Sequence, residues 1–160
     1  MAEAPRTDLD VIGKPLLKVD AAAKVAGQTL FAADLALPRM LYAKLLRSPH
    51  PHARIRRVDA TKAAALPGVH ATLVGAELPI PFGILPVSQD EHALCPDRVR
   101  FVGDPVVAVA ATEEETAWNA CRLVEVEYRE LRTIGGIHEA AANDEPRLHD
   151  YGVRGNIHRL

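Results

Sequence analysis

Apolar positions recur with period two at Ala53 and Ile55, with Arg54, Arg56 and Arg57 interleaved and Val58 out of step at the end. This predicts a half-buried strand over 53–59 with basic side chains towards water. Leu41 to Arg47 reads as a strand that stops where Ser48-Pro49-His50-Pro51-His52 sets two prolines close together. Val69–Val74 and Arg98–Val102 are further strands, and Val106–Ala111 is a strand apolar on both faces. Gly103-Asp104-Pro105 carries turn chemistry, so 98–102 and 106–111 are expected to pair as a hairpin. Pro79, Pro81, Pro86 and Pro96 exclude a long helix and a central strand from 75–97, which reads as a long loop suited to a contact.

Helical signals are short. Asp20 precedes Ala21–Val25 and Gly27 follows as a stop; Asp59 precedes a short helix through Lys62–Leu66, ended by Pro67-Gly68. Thr112-Glu113-Glu114-Glu115 is a capping-box signature, and Ala117, Ala120, Cys121 and Val124 then form one apolar stripe. At Val124 the period switches to two through Val126 and Tyr128, and Ile137–Ala142 is a last short helix. The expected organisation is a flexible lead over 1–12, a domain over 13–142 and an extended tail over 143–160. The fold class is α/β (α+β), a mixed sheet with short helices, without the regular βαβ alternation of a doubly wound sheet.

Composition narrows the functions. Lys+Arg is 19 and Asp+Glu 21, a net charge of −2, which gives no general attraction to nucleic acid or an anionic membrane. Aromatic residues are 4 % of the chain, too few for base-stacking platforms. The 48 % apolar content, mostly small aliphatic residues, is enough for a packed core. Neither a secretory leader nor a run of about 20 apolar residues is present, so a soluble, cytoplasmic chain is expected.

Candidate chemistry is sparse. His50 and His52 have the i, i+2 spacing that points two imidazoles to one side of an extended segment, but no third metal ligand lies nearby. A rigid turn presenting them to a partner is the stronger reading. Ser88, Asp90 and His92 are triad residue types, yet triad members meet by folding and not as neighbours in sequence. Cys121 sits on an apolar helix face as a small hydrophobe, which leaves Cys95, in the long loop, as the better candidate for a reactive thiol.

The blocks Ile12-Gly13-Lys14-Pro15, Asp20–Gly27, Phe31–Asp34, Leu46-Arg47-Ser48-Pro49-His50-Pro51-His52-Ala53-Arg54-Ile55, Leu66–Val69, Val99–Ala110 and Glu125–Leu131 run in order along nearly the whole chain. They resemble the opening of the large subunits of molybdenum hydroxylases, the xanthine dehydrogenase and aldehyde oxidase family. The loop Pro86–His92 looks most like the 4-hydroxybenzoyl-CoA reductase branch. The resemblance implies an α/β hammerhead domain. It implies that the complete enzyme uses molybdopterin (the cytosine dinucleotide form), iron–sulfur clusters and FAD, with none of them in this fragment. The family's catalytic glutamate and cofactor loops fall beyond Leu160, so no catalytic, cofactor-binding or metal residue transfers, and the chain alone is expected to be inactive.

The expected work is structural: packing on the remainder of the molybdopterin-binding subunit, and on the iron–sulfur and FAD subunits. The chain is then a fragment or a split-gene subunit, whose uncovered apolar faces favour self-association. Arg47, Ser48, His50, His52, Gly103 and Asp104 are the expected contact residues, being polar, loop-borne and inside the matching blocks. The alternative is a free-standing interaction or assembly protein that reuses the fold; a small thiol or hydrolytic enzyme using Cys95 or His92 is a third.

Overall fold

The computed structural model describes residues 10–83, 89–150 and 155–157, in two units that divide between Pro38 and Arg39. In the first, Ala21–Val25 forms a short helix, α1, that ends before Gly27 as expected. Asp20 makes no side-chain cap; its carboxylate pairs instead with Lys24, one turn on. Ala32–Asp34 is a single 3-10 turn, closed by the Phe31 amide donating to the Asp34 carboxylate at 2.9 Å. No described residue of this unit is buried.

The second unit carries β1 (Tyr42–Arg47), β2 (Ala53–Asp59), α2 (Thr61–Ala64), β3 (Val69–Val74), β4 (Pro81–Phe82), β5 (Glu91–His92), β6 (Arg98–Val99), β7 (Pro105–Ala111), α3 (Glu114–Leu123), β8 (Glu125–Glu130) and α4 (Ile137–Ala142). The α/β class holds, but the strands do not form one mixed sheet. They divide into three antiparallel sheets, ordered β1-β7-β3, β6-β2-β8 and β4-β5. The loop expected over 75–97 thus contains a 3-10 turn at Gly75–Glu77 and the β4–β5 ribbon. Residues 86–88 of the loop 86–92, Ser88 among them, lie outside the described residues, as do 1–9 of the lead and 151–154 and 158–160 of the tail.

The predicted hairpin does not form. Arg98–Val99 pairs with β2, while β7 crosses to the other sheet and lies between β1 and β3. The ladder cannot run on past Val99, because the Arg100 amide donates to the Asp104 side chain at 2.9 Å and not to a strand. A strand apolar on both faces is moreover best sheltered at the centre of a sheet.

The capping box is also absent. Thr112 stays bonded to Gly68, its amide donating to the Gly68 carbonyl at 2.9 Å, so α3 starts at Glu114 with no side-chain cap. Asp59 is not the N-cap of α2 either: that position is Ala60, which makes no side-chain cap, and the helix ends at Ala64, short of Leu66. The Asp59 carboxylate still accepts the Thr61 amide at 3.0 Å from one residue further out.

Val58 is brought back into phase by a bulge. Ile55 faces Tyr128 and Arg57 faces Glu127, so Arg56 is the extra residue. A second irregularity sets Leu46 against Val107 and Arg47 against Pro105, which explains why the consecutive Val106 and Val107 are both buried.

The core consists of small residues from every layer: Ala53 and Val99, Val106, Val107 and Val109, Ala63, Cys95, and the predicted stripe of α3 with Ala120, Cys121 and Val124. Each fully buried valine contributes roughly 1.5–3 kcal/mol relative to exposure. No described helix is long and apolar enough to cross a membrane.

Candidate interaction surface

The loop after β1 and the turn before β7 are locked to each other. The Ser48 amide donates to the Asp104 carbonyl at 2.9 Å, and the Gly103 amide donates back to the Ser48 carbonyl at 2.8 Å. Arg47 adds a guanidinium bond to the Gly103 carbonyl at 2.8 Å. Gly103 has φ +95°, a conformation open to glycine at little cost and strained for other residues. Within its own turn, the Ser48 hydroxyl donates to the His50 carbonyl and accepts from the His50 amide, both at 3.0 Å. Of the six expected contact residues, Arg47, Ser48, Gly103 and Asp104 therefore meet in one clamp.

Three of the six point inwards. Ser48 and Asp104 are buried, and His52 is buried almost completely. The Asp104 side chain takes the Arg100 amide and a hydrogen bond from the Cys95 thiol. His52 Nδ1 is 2.8 Å from the Arg132 carbonyl; a carbonyl only accepts, so Nδ1 carries the proton. Its Nε2 has no partner among the described residues. His50 parts from His52: its ring lies 4.8 Å from that of Tyr128, and its Nδ1 is 3.6 Å from the Glu130 carboxylate. The i, i+2 spacing therefore does not gather two imidazoles on one side.

The clamp holds out what sequence reasoning missed. Phe101 and Val102, read from the sequence as strand residues, form the tip of the braced turn and stand 56 % and 64 % exposed. The Asp104 amide donates back to the Phe101 carbonyl at 3.2 Å, which fixes the tip. The available signal was two large apolar residues directly before a Gly-Asp-Pro turn.

Beside the clamp is a cavity of about 370 Å³ that Cys95, His92, Arg100, Phe101 and Asp104 help to line. Cys95 is not a reactive thiol there. Burial, and then the hydrogen bond to Asp104, push it far above the ordinary thiol range, so it stays protonated. Burial likewise pushes the Cys121 thiol up, with Lys44 acting against it. Asp90 is bonded to His149 at 2.6 Å, and no nucleophile–base pair is assembled among the described residues. Burial also raises the Tyr128 hydroxyl, against the effect of its hydrogen bond with Ser48.

The chain belongs to the aldehyde oxidase and xanthine dehydrogenase family as an α/β hammerhead domain, the family model of that description matching residues 26–132. Among curated relatives, a probable xanthine dehydrogenase subunit from Bacillus subtilis is 42 % identical over 145 residues, covering 89 % of this chain and 19 % of the relative. The nicotinate dehydrogenase large molybdopterin subunit of Eubacterium barkeri is 40 % identical over 155 residues, 96 % of this chain and 35 % of the relative. Quinoline 2-oxidoreductase from Pseudomonas putida shares the fold with a TM-score of 0.76 at 35 % identity, over 84 % of this chain and 18 % of that one. The chain thus spans between about a fifth and a third of the curated relatives named here.

Two cysteines, both buried, cannot supply the four thiolates of an iron–sulfur cluster. Among the described residues no three His, Cys, Asp or Glu side chains converge as metal ligands.

Proposed function

We propose that this chain is a structural domain in the large subunit of a molybdenum-dependent oxidoreductase of the xanthine dehydrogenase and aldehyde oxidase type. It scaffolds the cofactor-bearing parts and does not carry the reaction. In this reading molybdopterin, as the cytosine dinucleotide, is held by the remainder of the molybdopterin-binding subunit. The iron–sulfur clusters and FAD lie on neighbouring subunits, and the assembly works in the cytoplasm.

The observation that carries the reading is the set of large apolar side chains left open on each unit taken by itself. Leu17, Val19 and Val25 in the first unit are more than 90 % exposed, and Phe101 and Val102 crown a turn that a buried polar clamp holds rigid. Surface of that kind marks a domain completed by packing on another body. The clamp residues Ser48, Gly103 and Asp104 then act by shaping the contact, and Arg47 and His50 stand at its rim.

Tagged chain supplied with the rest of the enzyme is expected to be recovered in stoichiometric assembly with the molybdenum-bearing protein. The double variant Phe101→Ser/Val102→Ser should change the chain's own stability by no more than about 0.5 kcal/mol, because both sites are exposed. It should nevertheless weaken assembly by about tenfold or more, as loss of an apolar anchor does. A chain recovered alone under these conditions would refute the reading.

A further inference from the structure

After α4 the chain folds back on itself, and Asn156 closes the neck of the loop. Its side-chain nitrogen donates to the Asn143 carbonyl at 3.2 Å and to the Pro146 carbonyl at 3.0 Å, and its side-chain oxygen accepts the Leu148 amide at 2.9 Å. Gly155 completes the neck, packed so close that an added Cβ would stand 2.6 Å from the Asp144 Cα. Beyond the neck, residues 147–150 rest against Asp90, Arg98 and Arg100, and every described bond that holds them there involves a side chain. Arg100 Nε donates to the Leu148 carbonyl at 2.8 Å. Arg98 donates to the Arg147 carbonyl at 3.4 Å and to the Asp150 carboxylate at 3.0 Å. His149 Nδ1 lies 2.6 Å from the Asp90 carboxylate. His149 thereby forms part of the wall of the 370 Å³ cavity that reaches Cys95, and Asp150 part of the wall of a cavity of about 450 Å³ beside it.

We infer that residues 147–150 are a strap that opens while the rest of the domain stays folded, and that its opening admits solvent to the cavity and to Cys95. Two observations set the balance. The strap has little to hold it: none of residues 143–150 is buried, and none belongs to the core. A segment with few apolar contacts and exposed hydrogen bonds opens ahead of its domain. The closed strap also leaves polar groups unserved. Asp90 Oδ1, His92 Nδ1 and Arg98 Nε are buried in the walls of these two cavities without a hydrogen-bond partner among the described residues. Closure takes water from these atoms and returns nothing, so each bears its desolvation cost. Opening gives the water back. The neck at Gly155 and Asn156 works in the other direction and keeps the strap shut. The device is independent of the scaffold reading, since it needs only this chain's own residues.

Asn156→Ala, with Gly155→Ala as a second variant, loosens the neck without altering a wall of either cavity. Cys95 is the reporter in the 160-residue chain, and Cys121, 3 % exposed in the core, is the internal control. Each thiol is followed by peptide mass as it reacts with methylmercury, which displaces the thiol proton. Cys95 is expected to react at least about tenfold faster in both variants than in the parent chain, with Cys121 unchanged. Equal Cys95 rates in parent and variants would overturn the inference, because the strap would then not control access. Rates that rise together at Cys95 and Cys121 would overturn it as well, because the strap would then open only with the whole unit. Where the added Cβ of Gly155→Ala lowers the yield of folded chain, Asn156→Ala alone decides.

Discussion

Gly75→Ala is expected to destabilise the 39–160 unit by about 3 kcal/mol, the upper end of what overpacking costs. A Cβ at this buried position would stand 2.0 Å from the Cys95 carbonyl oxygen, 2.4 Å from its carbon and 3.0 Å from the Leu94 carbonyl oxygen. These are backbone atoms and cannot swing aside as the end of a side chain would. The Cys95 backbone is itself tied to β7, its amide donating to the Pro105 carbonyl at 2.7 Å. Relief of the clash therefore pulls Cys95 out of the core and away from Asp104. For a unit this size the melting temperature should fall on the order of 10 °C. Gly103→Ala makes the contrast: no atom lies within 4 Å of its added Cβ, and the cost is the positive φ alone, roughly 1–2 kcal/mol. A Gly75→Ala chain melting within about 2 °C of the parent would contradict this packing.

Asp104→Ala is expected to cost about 3 kcal/mol, because it leaves the Arg100 amide and the Cys95 thiol without acceptors in a buried place. Asp104→Asn keeps a carbonyl acceptor for Arg100 and should cost about 1 kcal/mol, the worth of an ordinary hydrogen bond. The pH dependence gives a second readout. The Cys95 thiol is raised in the folded chain, so the folded state binds the proton more tightly than the unfolded one. That contribution is fully present below the unfolded thiol value of about 8.5 and is lost as pH rises towards the folded value. Stability of the unsubstituted chain should therefore decline above about pH 8.5, where unfolded thiols ionise. The decline should begin at the same pH and with the same slope in Asp104→Ala but level off at a lower pH, because burial, the larger cause, still acts while the contribution of Asp104 is gone. Thermal melts of the three chains between neutral and alkaline pH check both statements.

Elements set by local pattern were legible in the sequence. The strands at 53–59 and 69–74 and the buried stripe of α3 follow from periodicity alone, because each turns one side inwards. The helix at 137–142 forms where expected but buries none of its residues. Partner choice was not legible. Gly103-Asp104-Pro105 looks the same in sequence whether it joins two paired strands or carries the chain from one sheet to another; the Asp104 side chain, spent on Arg100, makes the difference. Val58 falls out of phase in sequence, and only the bulge at Arg56 accounts for it.

The candidate site was half legible. The segments 47–52 and 103–104 do come together, but their polar character does not by itself mark an outward contact. Ser48, His52 and Asp104 are polar because a buried junction needs its backbone groups satisfied, and the side chains left outside are the apolar Phe101 and Val102. Family membership was carried by the order of many weak blocks, each of them too short to be specific.

Metal and cofactor analysis of the purified 160-residue chain, by elemental assay and visible spectrum, bears most directly on whether this is a scaffold. The account predicts no stoichiometric molybdenum or iron, no cluster or flavin absorbance and no turnover. Molybdenum near one per chain, or an iron–sulfur band from the chain alone, would contradict it.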